Sequence, residues 1–317
     1  MKIISLEEIK NCFDFNKIIL EIEKSFIEYS NNNIESLPIS HYQFNDKKAD
    51  IHIKSGMIKS DNYFFIKIAS GFYDNASKYS ISNSQGAIVV INANTGIPEF
   101  ILNDQGYLTD IRTAIAGVIC AKYLAPKNIN SVGIFGYGIQ SFLQAKFLKI
   151  QIPQLKNLYL YGRNKFKFDK IKQKFDNLGY QVHISDSANF VAQNCNLLVT
   201  TTPACEPILF GDFILPGTHI TAIGADDGIK QELDISVFKK ASHVFADSIE
   251  QCLKYGDSSH AEKANVTLRN KITEIGKLIK TTNHYERNES DITISDLTGL
   301  AAQDIFISKY ILETLIK

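Results

Sequence analysis

The sequence has no excess of charge of one sign and no long apolar run. Its 317 residues contain 34 Lys and Arg against 34 Asp and Glu, so the formal net charge is zero. Because the chain has no net positive field, we expect no nucleic-acid partner. No apolar run approaches the roughly 18 residues of a membrane span, so no membrane partner is expected. The length predicts two domains of roughly 150 residues each.

Cysteine is scarce and scattered along the chain. The five cysteines are Cys12, Cys120, Cys195, Cys205 and Cys252. Their odd number and the absence of a C-x-x-C pair predict reduced thiols, and we expect neither a disulfide framework nor a metal site. The first eight residues turn acidic and hold no long apolar core. A secretory signal is therefore not expected, and cytoplasmic localisation is the default.

Arginine is also scarce, and the four positions are Arg112, Arg163, Arg269 and Arg287. A fork-shaped guanidinium is hard to replace where it holds a carboxylate, so each arginine is a candidate for such a role. Arg112 stands in the first turn of a helix predicted over about 109–124, where the helix N-terminus already favours an anion. We interpret it as a residue that binds a substrate carboxylate. A structural salt bridge to Asp110 or Asp104 is the alternative.

Hydrophobic periodicity predicts different secondary-structure patterns for the first and the later part of the chain. Helical spacing over 6–29 predicts one or two opening helices, and short runs at 50–54, 63–69 and 87–92 predict an antiparallel sheet segment. Strand candidates then alternate with helical or connecting segments at 132–135, 158–161, 181–184, 197–201, 219–223 and 243–246. This βαβ rhythm predicts a mostly parallel sheet. We expect the tail, 295–317, to be helical and to return to the first domain.

The first strand of the parallel region leads into a glycine-rich turn that contains Gly136, Gly138, Ile139 and Gln140. Glycines at such a turn let backbone N–H groups approach a pyrophosphate, which then rests on the N-terminus of the following helix. The order of strand, turn and helix predicts a dinucleotide site. Ser141 stands where a third Gly or Ala is usual, and an ordinary strand-to-helix turn is the alternative.

The end of the second parallel strand bears on the choice between NAD and NADP. An acidic residue that holds the ribose 2′-hydroxyl of NAD is expected there, but the chain continues with Arg163, Asn164 and Lys165. These side chains can bind a 2′-phosphate, or Arg163 can stack on the adenine. The alternative is that these residues belong to a solvated loop without a role in cofactor binding. The cofactor is predicted to be NAD or NADP, with NADP slightly favoured.

Lys67 and Asp226 are candidates for proton transfer. Lys67 is a lone cation within the apolar run 63–69, and partial burial would lower its pKa. It can then donate a proton or bind a carboxylate, whereas an edge-strand lysine that reaches solvent is the alternative.

Asp226 and Asp227 come directly after the strand predicted at 219–223, where doubly wound sheets bind ligands. One of these carboxylates can accept an amine proton; helix capping competes with this interpretation.

Seven segments together resemble the ornithine cyclodeaminase/mu-crystallin family, from about Lys54 to Asp304. They are Leu108-Thr-Asp-Ile-Arg112-Thr-Ala, Lys122-Tyr-Leu-Ala-Pro126, Gly136-x-Gly138-x-Gln140, Thr202-Pro203, Gly224-Ala-Asp226, Lys230-Gln-Glu-Leu-Asp234 and Gly299-Leu-Ala-Ala-Gln-Asp304. The resemblance implies an α/β subunit that forms homodimers. A Rossmann-type domain with a doubly wound parallel sheet, 118–296, would be flanked by an α+β substrate-binding and dimerisation domain built from 1–117 and 297–317.

The resemblance also implies roles for individual residues. Lys67 and Arg112 would bind the substrate carboxylate, and Asp226 would handle protons at the amine or imine. The positions expected beside the cofactor in addition to the glycine-rich turn are Thr202, Pro203, Ile223 and Gly224. Many members carry a further carboxylate-binding arginine before the lysine strand, but this sequence has no Arg before Arg112. Either His52 or Lys54 takes over that role, or the substrate is held differently.

The implied activity is NAD(P)-dependent cyclodeamination. In this reaction ornithine or a close analogue is converted to proline and ammonia by internal hydride transfer. The alternatives within the family are an imine or ketimine reductase and an amino-acid dehydrogenase, which use the same site without internal attack by the side-chain amine. A non-catalytic, crystallin-like NADP-binding protein is the alternative of a different class. If the protein is one of these enzymes, its partner is a small-molecule amino acid or cyclic imine.

Overall fold

The computed structural model describes residues 1–163, 168–281 and 285–316. The chain forms two compact units. We call Met1–Arg112 with Leu300–Lys317 the terminal unit, and Thr113–Gly299 the central unit. The chain leaves the terminal unit within a long helix and returns to it just before the last helix.

The elements follow one another in three groups along the chain. The first group comprises β1 (Lys2–Ile4), α1 (Leu6–Asn11), α2 (Phe15–Ser30), β2 (Ile34–Ser36), β3 (Ser40–Gln43), β4 (Ala49–Ile58), β5 (Tyr63–Phe72), α3 (Asn75–Lys78), β6 (Ser84–Asn92), β7 (Pro98–Leu102) and α4 (Tyr107–Leu124). The second group comprises β8 (Ser131–Phe135), α5 (Ile139–Gln151), β9 (Asn157–Tyr161), α6 (Phe168–Asp176), β10 (Gln181–Ser185), α7 (Ala188–Gln193), β11 (Leu197–Thr200), β12 (His219–Ala222), α8 (Ile235–Lys240), β13 (His243–Ala246), α9 (Ile249–Tyr255), α10 (Asp257–Lys263), β14 (Ile272–Glu274), α11 (Ile275–Lys280) and β15 (Thr293–Asp296). The chain ends with α12 (Ala301–Leu315).

The terminal unit is a seven-stranded sheet with helices packed against it. Its strands lie in the order β1-β7-β6-β5-β4-β2, and β3 also pairs with β4. The pairs are antiparallel apart from β1 with β7. Asp14 caps the N-terminus of helix α2, because its side chain accepts hydrogen bonds from the backbone N–H groups of Asn16 and Lys17. It packs against α12, which also contacts β4, so residues from both ends of the chain meet in one core.

The central unit is an eight-stranded sheet in the order β10-β9-β8-β11-β12-β15-β13-β14. All seven pairings are parallel. Every residue of β8, β11, β12 and β15 is buried, as expected for parallel strands covered on both faces. The predicted α/β fold with a Rossmann-like parallel sheet is therefore confirmed.

The prediction for the chain's tail was wrong at its first residues. Residues 293–296 form β15, which lies between β12 and β13, and the helix begins only at Ala301. Thr293 and Ser295 are buried together with Ile294, so this strand has no alternation of apolar and polar residues. A four-residue strand buried on both faces carries no period that could be read from the sequence. Among the described residues, no helix is long and apolar enough to cross a membrane.

Candidate active site

The glycine-rich turn joins β8 to α5 in the central unit. Gly136 has a φ of +109°, and a Cβ atom there would lie 2.9 Å from Thr201 Oγ1. Gly138 precedes the first residue of α5, and no described atom lies within 4 Å of the position that its Cβ would occupy. Ile139 and Gln140 form the first turn of that helix. The helix N-terminus therefore has open space where a pyrophosphate could bind.

Ser141 replaces the usual third glycine without opening the packing between helix and strand. It is fully buried, and its Oγ lies 2.8 Å from Thr201 Oγ1. The Thr201 hydroxyl in turn donates to the carbonyl oxygen of Phe135 at 2.9 Å. A glycine allows close packing because it has no side chain, whereas Ser141 is held against the sheet by a hydrogen bond.

The end of β9 carries the residues predicted to discriminate between cofactors. The ring of Tyr137, from the glycine-rich turn, lies against Gly162 and would clash with a Cβ atom there. Arg163 follows and is exposed. Asn164 and Lys165 lie outside the described residues. The slight preference for NADP therefore stays a prediction.

Glu232 is a buried carboxylate whose function the sequence did not reveal. Its Oε2 accepts hydrogen bonds from Thr200 Oγ1 at 2.7 Å and from the Gly224 N–H at 2.8 Å. Its Oε1 accepts hydrogen bonds from both the N–H and the hydroxyl of Thr202. Burial raises the pKa of Glu232, whereas these four donors oppose the rise. One side chain thus joins the ends of β11 and β12, beside the predicted cofactor residues Pro203 and Ile223.

Glu232 is itself held by a second buried acid. Asp257 Oδ1 accepts hydrogen bonds from the backbone N–H groups of Glu232, at 2.7 Å, and of Leu233, at 2.9 Å. Burial raises the pKa of Asp257 well above its usual value, and the nearby carboxylates Asp296 and Glu232 raise it further. These contacts place the segment Lys230–Asp234 beneath the loops that follow β11 and β12.

Asp226 and Asp227 have different surroundings at the end of β12. Asp227 accepts hydrogen bonds from the backbone N–H groups of Ile229 and Lys230, so it caps a local turn. The side chain of Asp226 is 36% exposed, and its Oδ1 accepts a hydrogen bond from Lys230 Nζ at 2.8 Å. Asp226 is therefore the more accessible of the two carboxylates.

Lys67 is buried in an interior strand of the terminal unit. Only 3% of its surface is exposed, and its Nζ lies 2.7 Å from Asp304 Oδ2. The alternative of an edge-strand lysine that reaches solvent is therefore excluded. Burial lowers the pKa of Lys67 to about 7; the charges of Arg112 and Lys54 act in the same direction, and Asp304 opposes them.

Arg112 meets the same carboxylate. Its Nε donates to Asp304 Oδ1 at 3.1 Å, and its Nη1 donates to Gln303 Oε1 at 3.1 Å. Gln303 Oε1 also accepts a hydrogen bond from the backbone N–H of Leu300 at the start of α12. The predicted carboxylate-binding arginine thus has a protein carboxylate as its partner, from the other end of the chain.

Asp304 has a lowered pKa although it is almost fully buried. Burial alone would raise the pKa, but the positive charges of Lys67, Arg112 and Lys54 lower it below the usual value. Sequence reasoning included Asp304 in a family motif but assigned it no role. The helix in which Asp304 lies gives no sign in the sequence that this residue contacts Lys67 and Arg112, which are distant in sequence.

His52 and Lys54 lie on the same face of β4 but have different neighbours. Lys54 is buried and lies directly opposite Lys67 in the register of β4 and β5. It therefore joins the cluster around Asp304. The His52 ring stacks on His41 with a centroid distance of 4.1 Å. Of the two candidates for the missing arginine, Lys54 is the one that the structure places with Lys67.

Comparison with known proteins identifies the family. The model of the ornithine cyclodeaminase/mu-crystallin family matches residues 2–317. The chain belongs to this family. An uncharacterized cyclodeaminase of Sinorhizobium fredii is 33% identical over 87% of this chain and 84% of its own length. A Δ1-pyrroline-2-carboxylate reductase of Bacillus thuringiensis is 26% identical over 99% of this chain and 96% of its own.

Solved structures of the ornithine cyclodeaminase/mu-crystallin family have the same fold. An archaeal alanine dehydrogenase, described as a dimer with bound NAD, superposes with a TM-score of 0.88 at 27% identity, covering 99% of this chain and 95% of that one. Relatives in this family include proteins described as cyclodeaminases, reductases and dehydrogenases. The protein is therefore an enzyme of this family, and its specific reaction has to be argued from the site.

Proposed function

We propose that this protein is an NAD(P)-dependent enzyme that acts on the α-carbon of an amino acid or of the corresponding imine. The observation that carries the proposal is the Asp304 cluster, in which Lys67, Arg112 and Lys54 surround one buried carboxylate. The open N-terminus of α5 at Gly138 supports a dinucleotide there, and the archaeal relative is described with bound NAD. When bound, the nicotinamide would accept or donate a hydride at the α-carbon.

Lys67 and Arg112 bind the substrate carboxylate in this proposal. A planar guanidinium and an ammonium on neighbouring elements can hold a carboxylate in one orientation, which keeps the α-carbon in a fixed position. Three cations around the single carboxylate of Asp304 leave local positive charge for an anionic group. Lys54 supplies the third cation and takes the place of the missing arginine.

Proton transfer is assigned to Lys67 and Asp226. With a pKa of about 7, Lys67 is close to half protonated at neutral pH, which suits a general acid. Asp226 is partly exposed at the end of β12 and exchanges protons with the substrate nitrogen. Lys230, which donates to Asp226, holds its carboxylate in place between turnovers.

Two net reactions use these residues. The first is cyclodeamination of ornithine or a close analogue to proline and ammonia, supported by the name of the relative with 33% identity. The second is reduction of an imine or oxidation of an amino acid. The buried cations Lys54, Lys67 and Arg112 favour this second reaction, because they disfavour a substrate with an additional ammonium group.

A cofactor balance separates these two reactions. The enzyme is incubated with ornithine and a substoichiometric amount of NAD or NADP, and proline and ammonia are quantified. Cyclodeamination returns the hydride, so proline accumulates beyond the amount of cofactor with no lasting change in absorbance at 340 nm. Reduction of a cyclic imine such as pyrroline-2-carboxylate consumes one NAD(P)H per turnover. If neither assay shows turnover, the crystallin-like alternative gains support and the proposed activity is rejected for these substrates.

We also propose that the chain forms a homodimer through the terminal unit's sheet. The face of β4 and β5 opposite Lys54 and Lys67 carries Ile53 and Ile68, which are 37% and 40% exposed and directly opposed in register. Because the two isoleucines are adjacent, they form part of a contiguous apolar patch, and such patches mark interaction sites on protein surfaces. The archaeal relative's description as a dimer makes a second copy of this chain the proposed occupant.

A further inference from the structure

Two histidines and an aspartate lie together at the pairing of β3 and β4 in the terminal unit. His41 of β3 and His52 of β4 are directly opposite each other in the antiparallel register. Asp50 lies two residues before His52 on the same strand, so both side chains are on one face of the sheet. Side chains opposite each other in antiparallel strands are about 5 Å apart at Cβ, which lets two imidazoles approach one cation.

The ligand atoms are already close to one another. His52 Nε2 lies 3.8 Å from Asp50 Oδ2, and one ligand atom from each of the three residues lies within 4.8 Å of the other two. In a tetrahedral zinc site, ligand atoms bound at about 2.0–2.2 Å are about 3.3 Å apart. The ligand atoms would therefore move closer by up to about 1.5 Å, through rotation of the imidazoles out of their present stacking, with no change in strand register.

The carboxylate of Asp50 is oriented by neighbouring groups. Its Oδ1 accepts a hydrogen bond from the backbone N–H of Gly71 at 3.1 Å, and its Oδ2 accepts one from Tyr73 Oη at 3.4 Å. A Cβ atom at position 71 would lie only 2.7 Å from Asp50 Oδ1, so glycine permits this approach. Hydrogen bonds of this kind orient the ligands of metal sites. Asp50 is buried and His41 is exposed, so a cation can enter from the histidine side.

We propose that His41, Asp50 and His52 form a binding site for a divalent transition-metal ion of the Zn²⁺ class. Two imidazoles and one carboxylate suit Zn²⁺, and the remaining coordination position would be filled by water or a small ligand. The sequence did not predict this site, because the strand register that places His41 opposite His52 is not apparent from the sequence. The proposal is independent of the amino-acid activity, since it needs neither the cofactor nor Asp304.

The test is metal titration of the EDTA-treated protein by isothermal calorimetry, using ZnCl₂ as the probe. We expect saturable binding of one Zn²⁺ per chain. His41→Ala and Asp50→Asn should each weaken this binding at least about tenfold, since loss of an orienting contact alone costs about 10- to 100-fold. His183→Ala is the matched control: His183 is likewise exposed on a strand and stacked on an aromatic ring, but it lies in the central unit. This control should bind Zn²⁺ as the wild type does.

All variants are prepared in a Cys205→Ser background, because Cys205 is an exposed thiol that could bind the probe. A Co²⁺ absorption spectrum and the Zn²⁺-induced rise in melting temperature provide independent readouts, and both should be lost in Asp50→Asn. Circular dichroism shows whether each variant is folded. Absence of saturable Zn²⁺ binding to the wild type, or equal affinity in His41→Ala, Asp50→Asn and the control, overturns the proposal. Neither outcome affects the proposed amino-acid activity, which is measured without added metal.

Discussion

A buried lysine is useful to an enzyme only if its charge can be regulated, and the environment of Lys67 shows how this is achieved. Burial and two neighbouring cations lower its pKa to about 7, whereas the negative charge of Asp304 opposes this fall. Near neutrality, small changes in these surroundings alter the protonated fraction substantially. The same residue can therefore bind a carboxylate when charged and exchange a proton within the working pH range.

The pH dependence of catalysis should report this group. Because the pKa of Lys67 in the folded protein lies below the usual value, its charged fraction is lost as the pH rises through about 7. We expect kcat/KM to fall with a slope of about one per pH unit above this point. Lys67→Arg keeps the charge at all these pH values and should remove the alkaline limb, at a lower maximal rate. An unchanged limb in Lys67→Arg would assign the titration to another group.

Removal of the Asp304 charge should affect both catalysis and stability. Asp304→Asn leaves Lys67 and Arg112 buried with one negative charge fewer, so we expect the free energy of unfolding to fall by about 3–5 kcal/mol. The pKa of Lys67 should fall further, which moves the alkaline limb to lower pH. Chemical denaturation and pH–rate profiles measure the two effects.

A matched control for Asp304→Asn is Asp74→Asn, because Asp74 pairs with Lys78 at the surface, where both side chains are about half exposed or more. We expect little change in stability from this substitution, since exposed ion pairs contribute little. A wild-type pH profile in a folded Asp304→Asn variant would contradict the proposed influence of Asp304 on Lys67.

At the scale of elements, the functional groups of the central unit lie where strands end. The turns after β8, β11 and β12 carry Gly138, Thr202 and Gly224, and the carboxylate of Glu232 joins the last two. This arrangement is typical of doubly wound sheets, whose ligands bind at the carboxyl ends of the strands. Glu232 acts in our interpretation as a positioning residue, because it contacts the loops and is not assigned a contact with the cofactor.

Glu232→Gln tests the positioning role. Each carboxylate oxygen accepts a backbone N–H, from Thr202 or from Gly224, so either orientation of a glutamine amide directs its NH₂ at one of these donors. We expect dinucleotide affinity to fall about tenfold and stability to fall by about 1–3 kcal/mol. Glu250→Gln, an exposed acid on α9, is the control and should leave dinucleotide affinity unchanged. Unaltered affinity in folded Glu232→Gln would show that the loops keep their geometry without this carboxylate.

Two substitutions of Gly138 in the glycine-rich turn should affect dinucleotide binding differently. Gly138→Ala should fold normally and bind the dinucleotide with modest loss, since a Cβ atom meets no described atom there and the φ of −79° suits any residue. Gly138→Trp should fold but lose binding, because the indole fills the space assigned to the pyrophosphate. Calorimetry with NAD, NADH, NADP and NADPH measures both variants. Retained binding in Gly138→Trp would place the pyrophosphate elsewhere.

At the scale of the whole molecule, the two faces of the terminal unit's sheet differ along β4 and β5. Lys54 and Lys67 occupy the face with the Asp304 cluster, whereas Ile53 and Ile68 occupy the other. If this apolar face joins two chains, light scattering should give about twice the chain mass of 35.6 kDa. Ile53→Lys with Ile68→Lys should shift the protein toward a monomer. A wild-type monomer at micromolar concentration would reject the dimer.

The local sequence pattern was sufficient to predict much of this fold. All six strands predicted in the parallel region are present, because short apolar runs separated by turns and helices are characteristic of such sheets. The strand at 293–296 was missed, since it is buried on both faces and precedes a helix. The short strands β1, β2, β3, β7 and β14 were also missed, because three to five residues are too few to show a clear period. The predicted domain boundaries and residue roles stay predictions, and the experiments above test the residue roles.

The sequence by itself determined the family, the parallel sheet and the glycine-rich turn, because each depends on residues close together in the chain. Only the tertiary structure brought Arg112 to Asp304, which is 192 positions away, and placed Lys54 opposite Lys67 and His41 opposite His52. These contacts depend on strand register and on the return of α12 to the terminal unit. Local periodicity carries no information about strand register or about contacts between distant segments, so the chemistry of these residues is apparent only in the tertiary structure.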